Sequence, residues 1–273
     1  MSWKNILVHI DGTARVAVRL ALAVALAKKH QARLTGVFGQ LAEPEKIGTV
    51  VNWPSRDYIE AAAASKAQFE SATRQINDAR WLDVNRGSAA EVTSHVVQCA
   101  RFADLVVMGQ YDSKHADIVV QSLVEEVVLH SGRPVLIVPF VGDFFALGNR
   151  PLIAWTDATG SARAVHEALP LIDVRDEVRV VCIADTEEEA QLASDELAAN
   201  LRGHGMAAHM EPFSTEDNDA LGLMDMVLNR ASDHSADLLV VGGEAPSGLF
   251  AGRRVSDMRY LLTHMTLPVL MSS

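Results

Sequence analysis

The sequence repeats itself at an interval of about half its length. Ala103–Gln110 reads ADLVVMGQ, and Ala236–Gly243 reads ADLLVVGG. Each copy is followed by the pattern His-x3-Pro-Val-Leu, which begins at His130 and again at His264. Because internal repeats set the architecture of a chain, we predict that two diverged copies of one domain make up this protein.

The two halves also open in a similar way. A hydrophobic run at Ile6–Ile10 precedes Gly-Thr-Ala-Arg, and a run at Leu152–Trp155 precedes Gly-Ser-Ala-Arg. The interval between these openings is longer than that between the later repeats, so the first copy carries extra residues. We assign them to a long surface loop at Leu41–Asp57. The predicted domains are residues 1–145 and 146–273.

Short runs rich in β-branched residues alternate with longer helical patterns in both halves. This alternation is typical of a parallel sheet with helices on both faces. We therefore predict an α/β fold with two tandem Rossmann-like domains, each with a five-stranded parallel sheet. The predicted strands are Asn5–Ile10, Arg33–Phe38, Trp81–Asn85, Leu105–Met108 and Val135–Val138, then Leu152–Trp155, Val178–Ile183, Ala207–Glu211, Leu238–Val241 and Val269–Met271.

Composition excludes several classes of function. The net charge of −11, with acidic residues dispersed along the chain, disfavours binding to nucleic acid or to anionic membranes. The two cysteines fall in opposite halves and indicate no disulfide framework. The apolar run Val16–Ala27 is interrupted by Arg19, which argues against a signal peptide or membrane span. We expect a cytoplasmic protein.

Ligands of an open α/β sheet bind beyond the carboxyl ends of its strands, where the strand order reverses. Asp11 follows the first predicted strand, and Gly109 follows the fourth. Their counterparts in the second half are Thr156 and Gly242. Asp11 therefore has two interpretations: it contacts a ligand, or it caps the following helix.

These features together resemble the universal stress protein family in its tandem form. The resemblance rests on the first strand with its Asp-Gly-Thr ending, on the Asp-Leu-Val-Val-Met-Gly strand and on the closing His-x3-Pro-Val-Leu segment, with matches in both halves. It implies a fold of the adenine nucleotide alpha hydrolase-like type. It also implies that the two domains pair within the chain through their last strands, and homodimerisation of whole chains is a further expectation.

ATP-binding members of this family carry Gly-x2-Gly-x9-Gly-Ser/Thr after the fourth strand. Glycines at these positions let backbone N–H groups approach the phosphates, and the last pair opens a helix. In the first half Gly109 is present, but Asp112 replaces the second glycine and Gln121-Ser122 replaces Gly-Ser. Asp112 would repel incoming phosphates, so we predict that this phosphate site is lost.

The second half departs from the pattern in a different way. Gly242 is present, Ala245 replaces the second glycine, and Ser256 follows a valine instead of a glycine. Arg253 and Arg254 precede that serine and could receive an anion. The candidate ligand residues of the two crevices are Asp11, Gly109, Ser122, Gly242, Arg253, Arg254 and Ser256.

The sequence thus predicts a non-enzymatic binding or regulatory role in stress response, with a nucleotide motif that is degenerate in both halves. Two alternatives stay open: an ATP- or AMP-binding switch with a variant phosphate loop, and a binder of another small anionic ligand in the second domain. The chain lacks a Gly-x-Ser-x-Gly elbow, so we assign no catalytic residue, and weak ATP hydrolysis is left open. We assign no metal, because the pair His204 and His209 straddles a glycine-rich turn. No cofactor is certain from the sequence, and ATP or AMP is the one that the first alternative would use. Protein partners are expected but not identified.

Overall fold

In the computed structural model, the chain divides into two compact units, Ser2–Phe145 and Ala146–Ser273. The structure describes residues 2–42, 44–47, 50–84, 88–172, 177–216, 222–243 and 251–273. Each unit alternates strands with helices along the chain.

The first unit is built on a parallel sheet with the strand order β7-β6-β1-β2-β5. Its strands are β1 (Asn5–Ile10), β2 (Arg33–Phe38), β3 (Glu45–Ile47), β4 (Val50–Asn52), β5 (Ala79–Asp83), β6 (Leu105–Gly109) and β7 (Val135–Val138). Its helices are α1 (Val16–His30), α2 (Arg56–Ala72), α3 (Ala89–Ala100) and α4 (Leu123–Ser131).

The second unit repeats this plan with the strand order β10-β9-β8-β11-β12, and its described strand pairs are also parallel. Its strands are β8 (Pro151–Thr156), β9 (Glu177–Ala184), β10 (Ala207–Ser214), β11 (Leu238–Gly242) and β12 (Val269–Ser272). Its helices are α5 (Thr159–Ala168), α6 (Glu187–Gly203), α7 (Leu223–Asp233) and α8 (Ala251–His264).

The predicted α/β fold is confirmed, and each predicted strand is present close to its expected bounds. The predicted surface loop at Leu41–Asp57 was wrong in part. This segment contains the antiparallel pair β3 and β4, and α2 begins within it at Arg56. The physical reason is local, since β-branched residues such as Ile47, Val50 and Val51 favour extended structure.

The strand order positions the crevices. The central strands are buried on both faces, as in β6, where Leu105–Met108 is fully buried. β1 pairs with β2 on one side and with β6 on the other, so the strand order reverses beside β1. β8 has the same place between β9 and β11. The crevice of each unit therefore lies at the carboxyl ends of two strands, β1 and β6 in the first and β8 and β11 in the second.

Candidate functional site

The crevice of the first unit contains a small cavity. Its volume is about 30 Å³, whereas pockets for drug-sized ligands have about 300–1,000 Å³. The polar and charged side chains among its lining residues come from the end of β1, the start of α1 and the loop after β6: His9, Asp11, Thr13, Arg15, Arg19, Gln110, Tyr111, Asp112 and His115. The crevice predicted from the sequence is therefore present but nearly filled by the protein itself.

A buried ion pair occupies the centre of this crevice. Arg19 reaches from α1 and donates from a terminal guanidinium nitrogen to Asp11 Oδ2 at 2.9 Å. The other carboxylate oxygen, Oδ1, accepts from the backbone N–H of Thr13 at 2.9 Å and from its hydroxyl at 2.6 Å. The exposed fraction is only 3% for Asp11 and 4% for Arg19. The carboxylate that the sequence offers to a ligand is thus already bound by the protein.

The charges of this cluster follow from burial and from these contacts. Burial by itself would raise the pKa of Asp11, but Arg19, His9 and the Thr13 hydrogen bonds outweigh it and lower this pKa to about 2. Burial lowers the pKa of His9 to about 4, and Arg19 adds to that effect. His9 Nε2 lies 2.7 Å from the Gly39 carbonyl oxygen and donates to it. At neutral pH the cluster therefore holds one carboxylate, one guanidinium and a neutral imidazole.

Gly109 ends β6 directly against Arg19. A Cβ atom at this position would overlap the Arg19 guanidinium. The sequence interpretation gave this glycine the role of admitting a phosphate group. In the structure the space that glycine leaves is taken by an arginine side chain.

Backbone N–H groups around the crevice are also engaged within the protein. The Gly12 N–H donates to Gln40 Oε1 at 2.8 Å. The Phe140 N–H donates to Gln110 Oε1 at 3.0 Å, and the Lys114 N–H donates to Asp112 Oδ1 at 3.0 Å. These are the kinds of donor that bind phosphates in glycine-rich loops, and here side-chain oxygens accept from them.

Ser122 does not join this cluster. It lies at the N-cap of α4 without a side-chain capping hydrogen bond, and it is not one of the residues that line the cavity. Of the first-half candidates, the structure therefore brings together Asp11 and Gly109, both through Arg19.

In the second unit the start of α5 packs against the end of β11. A Cβ atom at Gly242 would lie 2.6 Å from the backbone nitrogen of Ser161 and 2.8 Å from its Oγ. The Ser161 hydroxyl lies 2.9 Å from Thr156 Oγ1 at the end of β8. Gly242 therefore serves close helix-to-strand packing. Arg253, Arg254 and Ser256 belong to the first turns of α8, and their side chains lie outside the described residues.

Sequence reasoning missed Arg19 as a site residue, although a signal was available. Arg19 interrupts an apolar run and lies three residues after Val16 and four before Ala23, both of which are buried. These spacings place it on the buried face of a helix. A charged residue on such a face needs a buried partner of opposite charge, and Asp11 is the nearest acidic residue before it in the sequence.

Within the described part of the chain, no group of three or more His, Cys, Asp or Glu side chains could hold a metal ion.

No helix among the described residues is both long and apolar enough to cross a membrane.

Comparison with protein families decides the relationship of this chain. The model of the universal stress protein family matches residues 2–139, which is half of the sequence. The chain belongs to the universal stress protein family. None of the curated proteins matches it.

Solved structures share the fold of this universal stress protein over both units. A universal stress protein from Archaeoglobus fulgidus DSM 4304 has a TM-score of 0.71 at 16% identity, and the match covers 98% of this chain and 96% of that one. A candidate universal stress protein from Pseudomonas aeruginosa UCBPP-PA14 has a TM-score of 0.61 at 13% identity, with 98% and 92% covered. At such identities the likeness concerns the fold alone.

Proposed function

We propose that this universal stress protein acts in stress response through a nucleotide-independent binding or regulatory role, and that its second unit is a second universal-stress-type domain with a degenerate nucleotide motif. The observation that carries the proposal is the position of Arg19. This side chain binds Asp11 and fills the space beside Gly109. In the first unit the Arg19 side chain therefore occupies the space that a ligand would need.

The energy of the ion pair supports this role. A ligand that used the Asp11 carboxylate would have to displace Arg19 and leave its guanidinium buried without a partner. Breaking a buried pair in this way costs about 3–5 kcal/mol, which weakens an affinity by at least about a hundredfold. Nucleotide binding in the first unit would therefore carry a large penalty.

The same cluster gives no support to an enzymatic role. A general acid or base works best with a pKa near the operating pH. Asp11 has a pKa of about 2 and His9 one of about 4, and both side chains are held by hydrogen bonds within the protein. Neither group is poised to exchange a proton with a substrate at neutral pH.

The test is a thermal-unfolding titration of the full chain with ATP, ADP and AMP, preceded by native mass spectrometry of the freshly purified protein. A ligand specific for the folded state raises its stability in a saturable way. We expect no co-purified nucleotide and no saturable shift for the wild type. A bound nucleotide mass or a saturable shift would overturn the proposal and favour the ATP- or AMP-binding switch.

Two variants locate any binding that occurs. Arg19→Ala frees Asp11 and the space beside Gly109. A rise in Tm with nucleotide that occurs only in this variant would show that Arg19 prevents binding in the wild type. Circular dichroism checks that the variant is folded. Arg253→Ala with Arg254→Ala tests the second unit, where two cations in the first turns of α8 favour a small anionic ligand as the second candidate. A wild-type shift that this double variant abolishes would assign the ligand to that unit.

A further inference from the structure

Two arginine N–H groups at the first crevice have no hydrogen-bond partner within the part of the chain that the structure describes. The Nε atoms of Arg15 and Arg19 are both buried and find no acceptor among the described residues, and both side chains line the same small cavity. The exposed fraction of the Arg19 side chain is only 5%. A buried donor without an acceptor costs about 1–3 kcal/mol, and more when the group is charged, so an acceptor bound in this cavity would stabilise the fold.

The charge around the cavity favours an anion over a neutral acceptor. Arg15 donates to the carbonyl oxygens of Pro139 at 2.9 Å and Gly142 at 2.6 Å, which leaves its charge without a carboxylate among the described residues. Arg15 is also the N-cap residue of α1, where the helix dipole favours negative charge. The Asp11 carboxylate is already paired with Arg19.

One further carboxylate lines the cavity. Asp112 Oδ1 accepts from the Lys114 N–H, and Oδ2 lies 3.3 Å from His115 Nδ1. Its charge opposes an anion in this cavity, as it opposes phosphates, but its side chain is 23% exposed and solvent weakens that repulsion. Its contacts lie on its own loop, and it is within hydrogen-bond or ion-pair distance of neither arginine.

The size of the cavity limits what can enter. A single water needs at least about 10–15 Å³ of such volume, so a cavity of about 30 Å³ has room for one small ion or for one or two waters. A sugar, a base or a phosphate chain is too large for it.

We infer that this cavity binds a small inorganic anion of the size of chloride, held between the Nε–H groups of Arg15 and Arg19 at the start of α1. The inference rests on the proposed nucleotide-independent role, because the cavity has this size only while Arg19 stays paired with Asp11. The anion completes the hydrogen bonding of both arginines. Since Arg15 also holds the carbonyl groups of Pro139 and Gly142, the anion would stabilise the segment that follows β7.

The test uses chloride and bromide as probes on the full chain. Thermal unfolding is followed as chloride replaces gluconate at constant ionic strength, which keeps charge screening unchanged. We expect a saturable rise in Tm for the wild type. Arg15→Gln should raise the half-saturating chloride concentration at least about tenfold, as expected for the loss of a hydrogen bond to a charged group.

Arg56→Gln is the matched control, because that side chain on α2 is 81% exposed and pairs only with Glu60 among the described residues. It should titrate like the wild type. A crystal soaked in bromide should show anomalous density within hydrogen-bonding distance of both Nε atoms. A linear response, an equal response in Arg15→Gln, or bromide bound only elsewhere would overturn the inference. Neither probe involves a nucleotide, so these results are separate from a failure of the proposed function.

Discussion

At the scale of single residues, Arg19 changes what its neighbours Asp11 and Gly109 can bind. The family resemblance predicts Asp11 and Gly109 as ligand positions, yet both contact Arg19. Asp11 also does not cap α1 in the usual sense, because it accepts from Thr13 while Arg15 occupies the N-cap position. The resulting cluster is buried and holds charged groups, so its stability should depend on pH.

His9 should make the stability of the folded protein depend on pH. The unfolded chain takes up a proton on this residue near pH 6.5, whereas burial delays protonation of the folded protein to about pH 4. Between these values the unfolded state binds more protons, so stability falls as the pH falls. The shift in the pKa of His9 should lower the free energy of unfolding by about 3 kcal/mol between pH 7 and pH 4. Urea unfolding across this range measures the loss.

His9→Gln is the control, since its amide can donate to the Gly39 carbonyl oxygen without titrating. Its stability should fall less steeply than that of the wild type over the same pH range. Asp11 contributes in a different window, because its lowered pKa adds stability that is lost only as the pH falls from 3.8 towards 2. Equal slopes for wild type and variant between pH 6.5 and pH 4 would contradict the assignment to His9.

At the scale of elements, local signals decide where helices begin and end. α1 begins only at Val16, because Asp11 and Thr13 form a hydrogen-bonded turn before it. α2 ends at Ala72, before a stretch of polar residues. The sequence from Gln75 to Asp78 includes Asn and Asp, which favour turns.

The clearest local signal lies at α6. Thr186 caps this helix by accepting from the Glu189 N–H, and the Glu189 side chain accepts from the Thr186 N–H in return, both at 3.3 Å. Thr186→Ala should therefore reduce the free energy of unfolding by about 1 kcal/mol. Urea denaturation measures it, and Thr186→Ser should retain most of the stability because serine keeps the hydroxyl. A serine variant as unstable as the alanine variant would show that the methyl group matters instead.

At the scale of the whole molecule, the chain forms two compact units joined between β7 and β8. The unit boundary falls at Phe145 and Ala146, inside a segment without helix or strand. Phe145 is 78% exposed. Exposed segments of this kind are preferred sites of proteolysis.

Limited chymotrypsin digestion should therefore cut first after Phe145 and release two protease-resistant halves. Phe102 is more exposed, at 85%, but its N–H is hydrogen-bonded to Cys99 in the turn after α3, so it should be cut later. Phe145→Ser should slow the first cut, and mass spectrometry of the fragments identifies the site. An unchanged first cut in this variant would contradict the prediction.

Co-elution of the halves in size-exclusion chromatography would support the predicted pairing through the last strands, and separate elution would count against it.

The doubled α/β plan could be predicted from the sequence, because strand and helix patterns are local and each occurs twice along the chain. The sequence also located Asp11, Gly109 and Gly242 at the strand ends where a crevice must form. What fills the first crevice could not be predicted in this way, because it depends on contacts between separate elements. Arg19 is eight residues from Asp11 and lies in a different element from Gly109, so their contact depends on how α1 packs over β1 and β6. That packing excludes water, and a buried arginine in such a place must take the nearest carboxylate as its partner.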